Sequence, residues 1–194
     1  AANRRPGSSG GRRAALLHYS GKPAALTETG RFYGHEKLGE ELAREEMESL
    51  RFDNRTRDAV LPLVRYHMFD LEGKAKPKTI RRRAVMLGRE TFDRRIALRR
   101  ADVIGSGWPV ERVASADNWQ RELDNMQAEG VPWTVAELKV TGHDISQWLG
   151  IPPSPMVGEI LKALHKECVM NPKRNNREAL KKSALALGRK LILN

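Results

Sequence analysis

The sequence predicts an all-α chain. Apolar residues recur at three- and four-residue spacing from Ala14 almost to the C-terminus. No segment shows convincing strand alternation, and a trivial strand pair near Arg31 to Tyr33 is the most that β structure can claim. Gly and Pro fall mainly between the periodic segments, as helix punctuation does. With 194 residues and 40% hydrophobic content, the chain can build one large or two small helical domains.

Taken in order, residues 1–11 are rich in Gly and Ser and basic, and read as a linker or a truncated N-terminus. Helical spacing begins abruptly at Ala14, so the chain is expected to open inside a domain. Gly34 to Leu50 is an amphipathic helix with Leu38, Leu42 and Met47 on one face and glutamates on the other. Asn54 is expected to cap a helix from Arg55 to Phe69, with Pro62 kinking it or marking its true start. Lys74 to Lys78 is a loop. Thr79 then caps Ile80 to Leu87, and Gly88 ends that helix. Glu90 to Ile104 follows, closed by Gly105-Ser106-Gly107. Pro109 suits the first turn of a long helix through Glu129, stopped by Gly130 and Pro132. Three shorter helices complete the chain: Asp144 to Leu149, Ser154 to Met170 and Asn176 to Leu191. Asp144 is expected to cap the first of these, and Gly158 to allow close helix approach in the second.

Composition narrows the functional classes. No apolar run reaches about 18 residues, so no membrane span is expected. No basic-then-apolar signal peptide opens the sequence. A single cysteine, Cys168, excludes an internal disulfide and fits a reducing, cytoplasmic setting. The formal net charge is +11. It is not spread evenly. Residues 35–75 and 101–149 carry excess acid, and the positive charge gathers at the N-terminus, in Lys76 to Arg100, and after Lys162. Separate basic blocks point to polyanion binding, and nucleic acid is the leading partner.

Three of the five histidines sit in telling places. His18 lies in Leu16-Leu17-His18-Tyr19-Ser20-Gly21-Lys22-Pro23, His35 in Phe32-Tyr33-Gly34-His35-Glu36, and His67 in Leu63-Val64-Arg65-Tyr66-His67-Met68. Asp102 follows in Leu98-Arg99-Arg100-Ala101-Asp102. Ligands drawn one per helix are how bundles build metal sites. The order resembles the HD superfamily of phosphohydrolases, in which a His-Asp step is the signature. Here Tyr19 stands where that aspartate would be. A phenol is neutral at pH 7 and cannot balance the charge of hard cations. The resemblance therefore implies a partial, degenerate HD-like domain over residues 12–107. Its set of His18, His35, His67 and Asp102 is suited at most to one weak divalent metal. The bland alternative is a hydrogen-bonded knot.

A wider resemblance covers residues 12 to 190. Gly34-His35-Glu36-Lys37-Leu38-Gly39 through Leu50-Arg51-Phe52-Asp53-Asn54, and Leu98-Arg99-Arg100-Ala101-Asp102, look like the body of bacterial class II CCA-adding tRNA nucleotidyltransferases and related poly(A) polymerases. So do Trp133-Thr134-Val135-Ala136-Glu137-Leu138, Thr141-Gly142-His143-Asp144-Ile145, Leu149-Gly150-Ile151-Pro152-Pro153-Ser154-Pro155, Gly158-Glu159-Ile160-Leu161 and Asn176-Arg177-Glu178-Ala179-Leu180. The resemblance implies a connecting helix over 108–131 and a smaller helical tail over 132–194. In that family the tail and adjoining body form helical surfaces that grip the elbow and acceptor stem of tRNA, and the resemblance implies that role here. In that family a separate head carries paired Asp-x-Asp carboxylates for magnesium and a neck motif for CTP and ATP. This sequence has no Asp-x-Asp. The chain is thus expected to lack the head, to contain no catalytic residues, to need no cofactor of its own and not to add CCA alone.

Shape and phosphate recognition of A-form RNA calls for cations rather than base-reading groups. The candidates are Arg81, Arg82, Arg89, Arg94, Arg95 and Arg99 in the middle block, and Lys173, Arg174, Arg177 and Lys181 in the tail. Trp119, Trp133 and Trp148 follow the apolar period of their segments and read as core anchors. Two competing readings remain: an HD-type phosphohydrolase acting on nucleotide or cyclic phosphate ends, and a helical module that pairs with a partner or with itself as a homodimer.

Overall fold

The computed structural model describes residues 13–14, 16–17, 20–29 and 34–192. The fold is all-α, and no strand occurs among the described residues. The expected strand pair at residues 31–33 lies outside them. So do His18 and Tyr19. The helices are α1 (Gly21–Thr29), α2 (His35–Ser49), α3 (Asn54–Arg65), α4 (Pro77–Leu87), α5 (Arg89–Gly105), α6 (Ala114–Ala128), α7 (Gly142–Leu149), α8 (Pro155–Met170) and α9 (Arg177–Ile192). Short 3-10 turns occupy Val110–Val113, Val135–Glu137 and Pro172–Arg174. Among the described residues, no helix is long and apolar enough to cross a membrane.

Two compact units emerge. One comprises residues 1–75 and 87–121, the other residues 76–86 and 122–194. The unit boundaries therefore cut through α6, which serves the first unit through Arg121 and the second from Glu122.

In the first unit, α2 buries His35, Gly39, Ala43 and Met47, a stripe at four-residue spacing. The sequence reading favoured Leu38 and Leu42, which are only half buried. Small residues line the stripe because α1 comes very close. A Cβ on Gly21 would collide with the His35 carbonyl and the Gly39 backbone. Around this contact Ala14, Met47, Val60, Leu63, Val64 and Leu98 form one apolar cluster. The α3 cap is Asp53 rather than the expected Asn54. Its carboxylate accepts from Thr56 N at 2.7 Å. Pro62 lies inside α3. The carbonyl it leaves without a helical donor belongs to Asp58, which is exposed to water.

α3 also stops at Arg65, four residues before the expected Phe69. The physical reason lies on α5. Arg95 donates to the carbonyls of Tyr66 (3.1 Å), His67 and Phe69 (3.4 Å), and Arg99 donates to that of Leu71 (2.8 Å). These two guanidiniums hold the carbonyls of residues 66–71 in the turns that follow α3. Asp70 takes a left-handed φ of 51°, and its carboxylate accepts from Ala75 N and Trp119 Nε1, both at 2.8 Å. Trp119 is wholly buried between Phe69, Phe92 and Arg95.

The second unit has its own core of Leu138, Val140, Ile145, Val157, Ile160, Leu164, Cys168, Leu180 and Ala184. Each buried Leu, Ile or Val of this core contributes about 1.5–3 kcal/mol. Thr141, not Asp144, is the N-cap of α7. Asp144 is its capping-box partner at the third helical position. Gly158 meets nothing within 4 Å, so it does not serve close approach. That role falls to Gly188 on α9, where a Cβ would strike the side chain of Leu149.

Candidate nucleic-acid interface

The tail presents the most accessible positive charge. Between Lys173 and Lys190 the sequence carries seven cations against one carboxylate, Glu178. Local chemistry fixes where they point. Pro172 opens a 3-10 turn that ends at Arg174. Asn176 then caps α9, accepting from Ala179 N at 2.9 Å while donating to the Lys173 carbonyl at 2.9 Å. Asn175 accepts from Lys139 N (2.9 Å) and donates to the Glu137 carbonyl (3.0 Å). The basic segment is thus fastened to the chain before α7.

Lys173 and Lys181 are exposed. Arg174 pairs with Glu167 and donates to Ser183 Oγ at 3.0 Å. Arg177 donates to Asp144 Oδ1 at 2.6 Å, yet its side chain stays 59% exposed. That hydrogen bond, with the Thr141 backbone N–H and hydroxyl, holds the Asp144 carboxyl down at about 2. Arg177 and Lys181 both lie over the ring of Trp148, at 5.2 and 5.7 Å from its centre.

Still in the second unit, Arg81 is buried. It forms a fork with Glu129 at 2.7 Å on both arms and a further ion pair with buried Glu122. Hydrogen bonding to Glu129, then to Glu122, raises its pKa further, and Glu129 is held below the usual carboxylate range in return. Its donors face carboxylates rather than solvent. Arg82, one residue on, is exposed and unpaired among the described residues.

The α5 arginines differ from the tail cations. Arg95 and Arg99 are only 2% and 4% exposed, with donors engaged by backbone carbonyls and Ser115 Oγ. Arg89 pairs with Asp93 at 3.1 Å and Arg94 with Glu90 at 2.5 Å, both one turn along the helix. Those two surface pairs are weak enough to open for a phosphate. Arg81, Arg95 and Arg99 are internal struts.

The sequence model of the family described as tRNA nucleotidyltransferase domain 2, putative, matches residues 34–184. The chain belongs to this family. Among curated relatives, the A-adding tRNA nucleotidyltransferase of Deinococcus radiodurans is 29% identical over 158 residues, covering 78% of this chain and 36% of the relative. The CC-adding tRNA nucleotidyltransferase of Thermus thermophilus is 31% identical over 160 residues, covering 79% of this chain and 34% of the relative. The chain spans about a third of the length of these relatives. No solved structure matches it.

Arg81, Arg82, Arg89, Arg94, Arg95, Arg99, Lys173, Arg174, Arg177 and Lys181 fall inside the region matched by the domain 2 family, as do His35, His67 and Asp102, whereas Arg189 and Lys190 lie beyond it. The structure brings the two histidines together, Nε2 to Nε2 at 3.0 Å. His67 Nδ1 lies 2.7 Å from the Val64 carbonyl, which can only accept, so Nδ1 carries the proton. In the neutral ring, His67 Nε2 then accepts from His35 Nε2–H. Asp102 bonds Arg99 and Ser106, each at 3.5 Å. No three His, Cys, Asp or Glu side chains gather into a metal cage among the described residues. The described donors make a hydrogen-bonded histidine pair. His18, the remaining member of the expected set, lies outside them.

Trp148, expected as a core anchor, is half buried and packs against the second unit's core, and its exposed side carries Arg177 and Lys181. The signal was present in the spacing. Asp144 and Trp148 stand four apart on α7, and Arg177 and Lys181 four apart on α9, so each pair shares one helix face.

Proposed function

We propose that this chain is the body and tail of a tRNA nucleotidyltransferase. It grips the acceptor stem and elbow of tRNA while a head outside this sequence extends the 3′ end. The observation that carries the reading is the concentration of exposed cations from Lys173 to Lys190 in a chain of this family. Lys173, Arg174, Arg177 and Lys181 supply the main phosphate contacts, with Arg82, Arg89 and Arg94 as further ones. Shape and backbone charge are what an A-form stem offers, and cations on a fixed helix match it. Magnesium, CTP and ATP belong to the head's chemistry. The residues of this chain bind and orient the RNA. The setting is the cytoplasm, consistent with a lone buried thiol. An HD-like origin of the first unit accounts for a histidine pair joining the start of α2 to the turns after α3.

The test is titration of the chain with tRNA lacking its CCA end, against a generic RNA duplex, at two salt concentrations. The expected result is preference for tRNA and a steep loss of affinity with salt, roughly 0.9 in log–log slope per phosphate neutralised. Equal binding to both RNAs, or no salt dependence, would exclude the reading.

A further inference from the structure

We infer that Trp148 is a positioning residue for RNA binding, holding Arg177 and Lys181 in a phosphate-ready arrangement without itself touching RNA. The inference rests on the tRNA-binding reading above and adds a residue to it.

Three observations carry it. First, the two cations sit over one indole, at 5.2 and 5.7 Å, from successive turns of α9. Second, Asp144, one turn before Trp148 on α7, holds the Arg177 guanidinium at 2.6 Å. Carboxylate and ring together therefore fix a side chain that is 59% exposed. Third, the ring is half buried against the second unit's core, so its position is set by packing. A free lysine or arginine surrenders considerable side-chain entropy when it binds a phosphate. One already held over a ring surrenders less. An ammonium over an indole also keeps N–H donors facing solvent, which a salt bridge would occupy. Lys181 is exposed and reaches no carboxylate among the described residues, so the ring is its only anchor.

The experiment compares Trp148→Phe, which keeps an aromatic face, with Trp148→Leu, which keeps apolar bulk without one. Both are measured on the full chain with tRNA lacking its CCA end, across a salt series. Trp148→Leu is expected to weaken binding about three- to tenfold and to reduce the salt slope by about one phosphate contact. Trp148→Phe is expected to stay within about twofold, at a similar melting temperature. A purely structural role would lower the melting temperature without changing the slope. Combining Trp148→Leu with Lys181→Ala should cost less than the two effects added. The ring current should also shift the Lys181 ε-methylene protons upfield in the wild-type protein. Loss of that shift in Trp148→Leu supports the arrangement, and its absence in the wild type overturns it without any RNA. If the wild type binds tRNA and Trp148→Leu matches it in affinity and slope, the positioning role is overturned alone. If the wild type binds no tRNA, the tRNA reading fails and takes this inference with it.

Discussion

Arg81 offers the clearest division between a cation that binds RNA and one that holds the protein. Its side chain is 10% exposed, its Glu122 partner 5% and its Glu129 partner 46%. Arg81→Met keeps the apolar stem and removes the charge. Glu122 then stays buried as a carboxylate, with only a long 3.4 Å contact from Asn125 to help it. Breaking a buried pair in this way costs about 3–5 kcal/mol. The Glu129 arm adds at most about 1 kcal/mol, because that carboxylate regains water. For a chain of this length the melting temperature should fall by about 6–24 °C. Replacing both buried partners, Arg81→Met with Glu122→Leu, should recover most of the loss, since no orphan charge remains. Glu129→Gln alone should cost no more than about 1 kcal/mol. Calorimetry measures all four proteins, and tRNA titration well below their melting points measures the other half. Folded Arg81→Met should bind within about twofold of wild type. A melting temperature within 2 °C of wild type, or a loss of RNA affinity equal to that of Lys181→Ala (each limit set by the scale above), would refute the assignment of Arg81 to the interior.

Other expectations follow from the same geometry. Arg95→Met removes the donors to the Tyr66, His67 and Phe69 carbonyls and should destabilise the first unit by at least about 2 kcal/mol. Amide exchange should quicken in residues 66–73 well before it does in α8; uniform acceleration would mean the arginine is not a local strut. Asp144, held at about 2 by Arg177, contributes stability that is complete above its ordinary value of 3.8 and disappears as pH falls from there through 2. Asp144→Asn should flatten the urea midpoint against pH in that window, and an unchanged profile would count against the pair. Burial pushes the Cys168 thiol up to about 11, so it should resist alkylation at pH 8 in the folded chain and react once unfolded. Stability should decline between its ordinary 9.0 and about 11 as the unfolded thiol ionises first.

The helices were largely legible because their boundaries are written in local chemistry. Gly34, Gly88 and Gly150 take positive φ at helix ends, and Pro155 sits in the first turn of α8. The end of α3 was not legible. Nothing between Arg65 and Phe69 forbids another turn. The decision is made by guanidiniums about 28 residues away. The stripe of α2 was misread for a related reason. Hydrophobic periodicity favours large side chains, whereas His35, Gly39 and Ala43 are buried because α1 approaches too closely for anything bulkier. Capping was legible to within a residue or a role, as at Asp53 and Thr141, because several competent oxygens compete at each helix start.

The same ambiguity decides how charge should be read. A run such as Arg94, Arg95, Arg99 and Arg100 points in several directions around a helix, so some members must face the protein. Arginine tolerates this because its fork can satisfy several carbonyls at once, as Arg95 and Arg99 do. The lysines show the contrast. Lys173, Lys181, Lys182 and Lys190 are all exposed, and all lie in the tail. Interior arginines add nothing to counterion release, since no phosphate reaches them. The formal charge of +11 therefore overstates the binding charge of the middle block more than that of the tail. A polyanion should respond to tail substitutions in its salt slope and to α5 substitutions chiefly through stability. That asymmetry follows from where each side chain's donors are engaged, and composition alone cannot supply it.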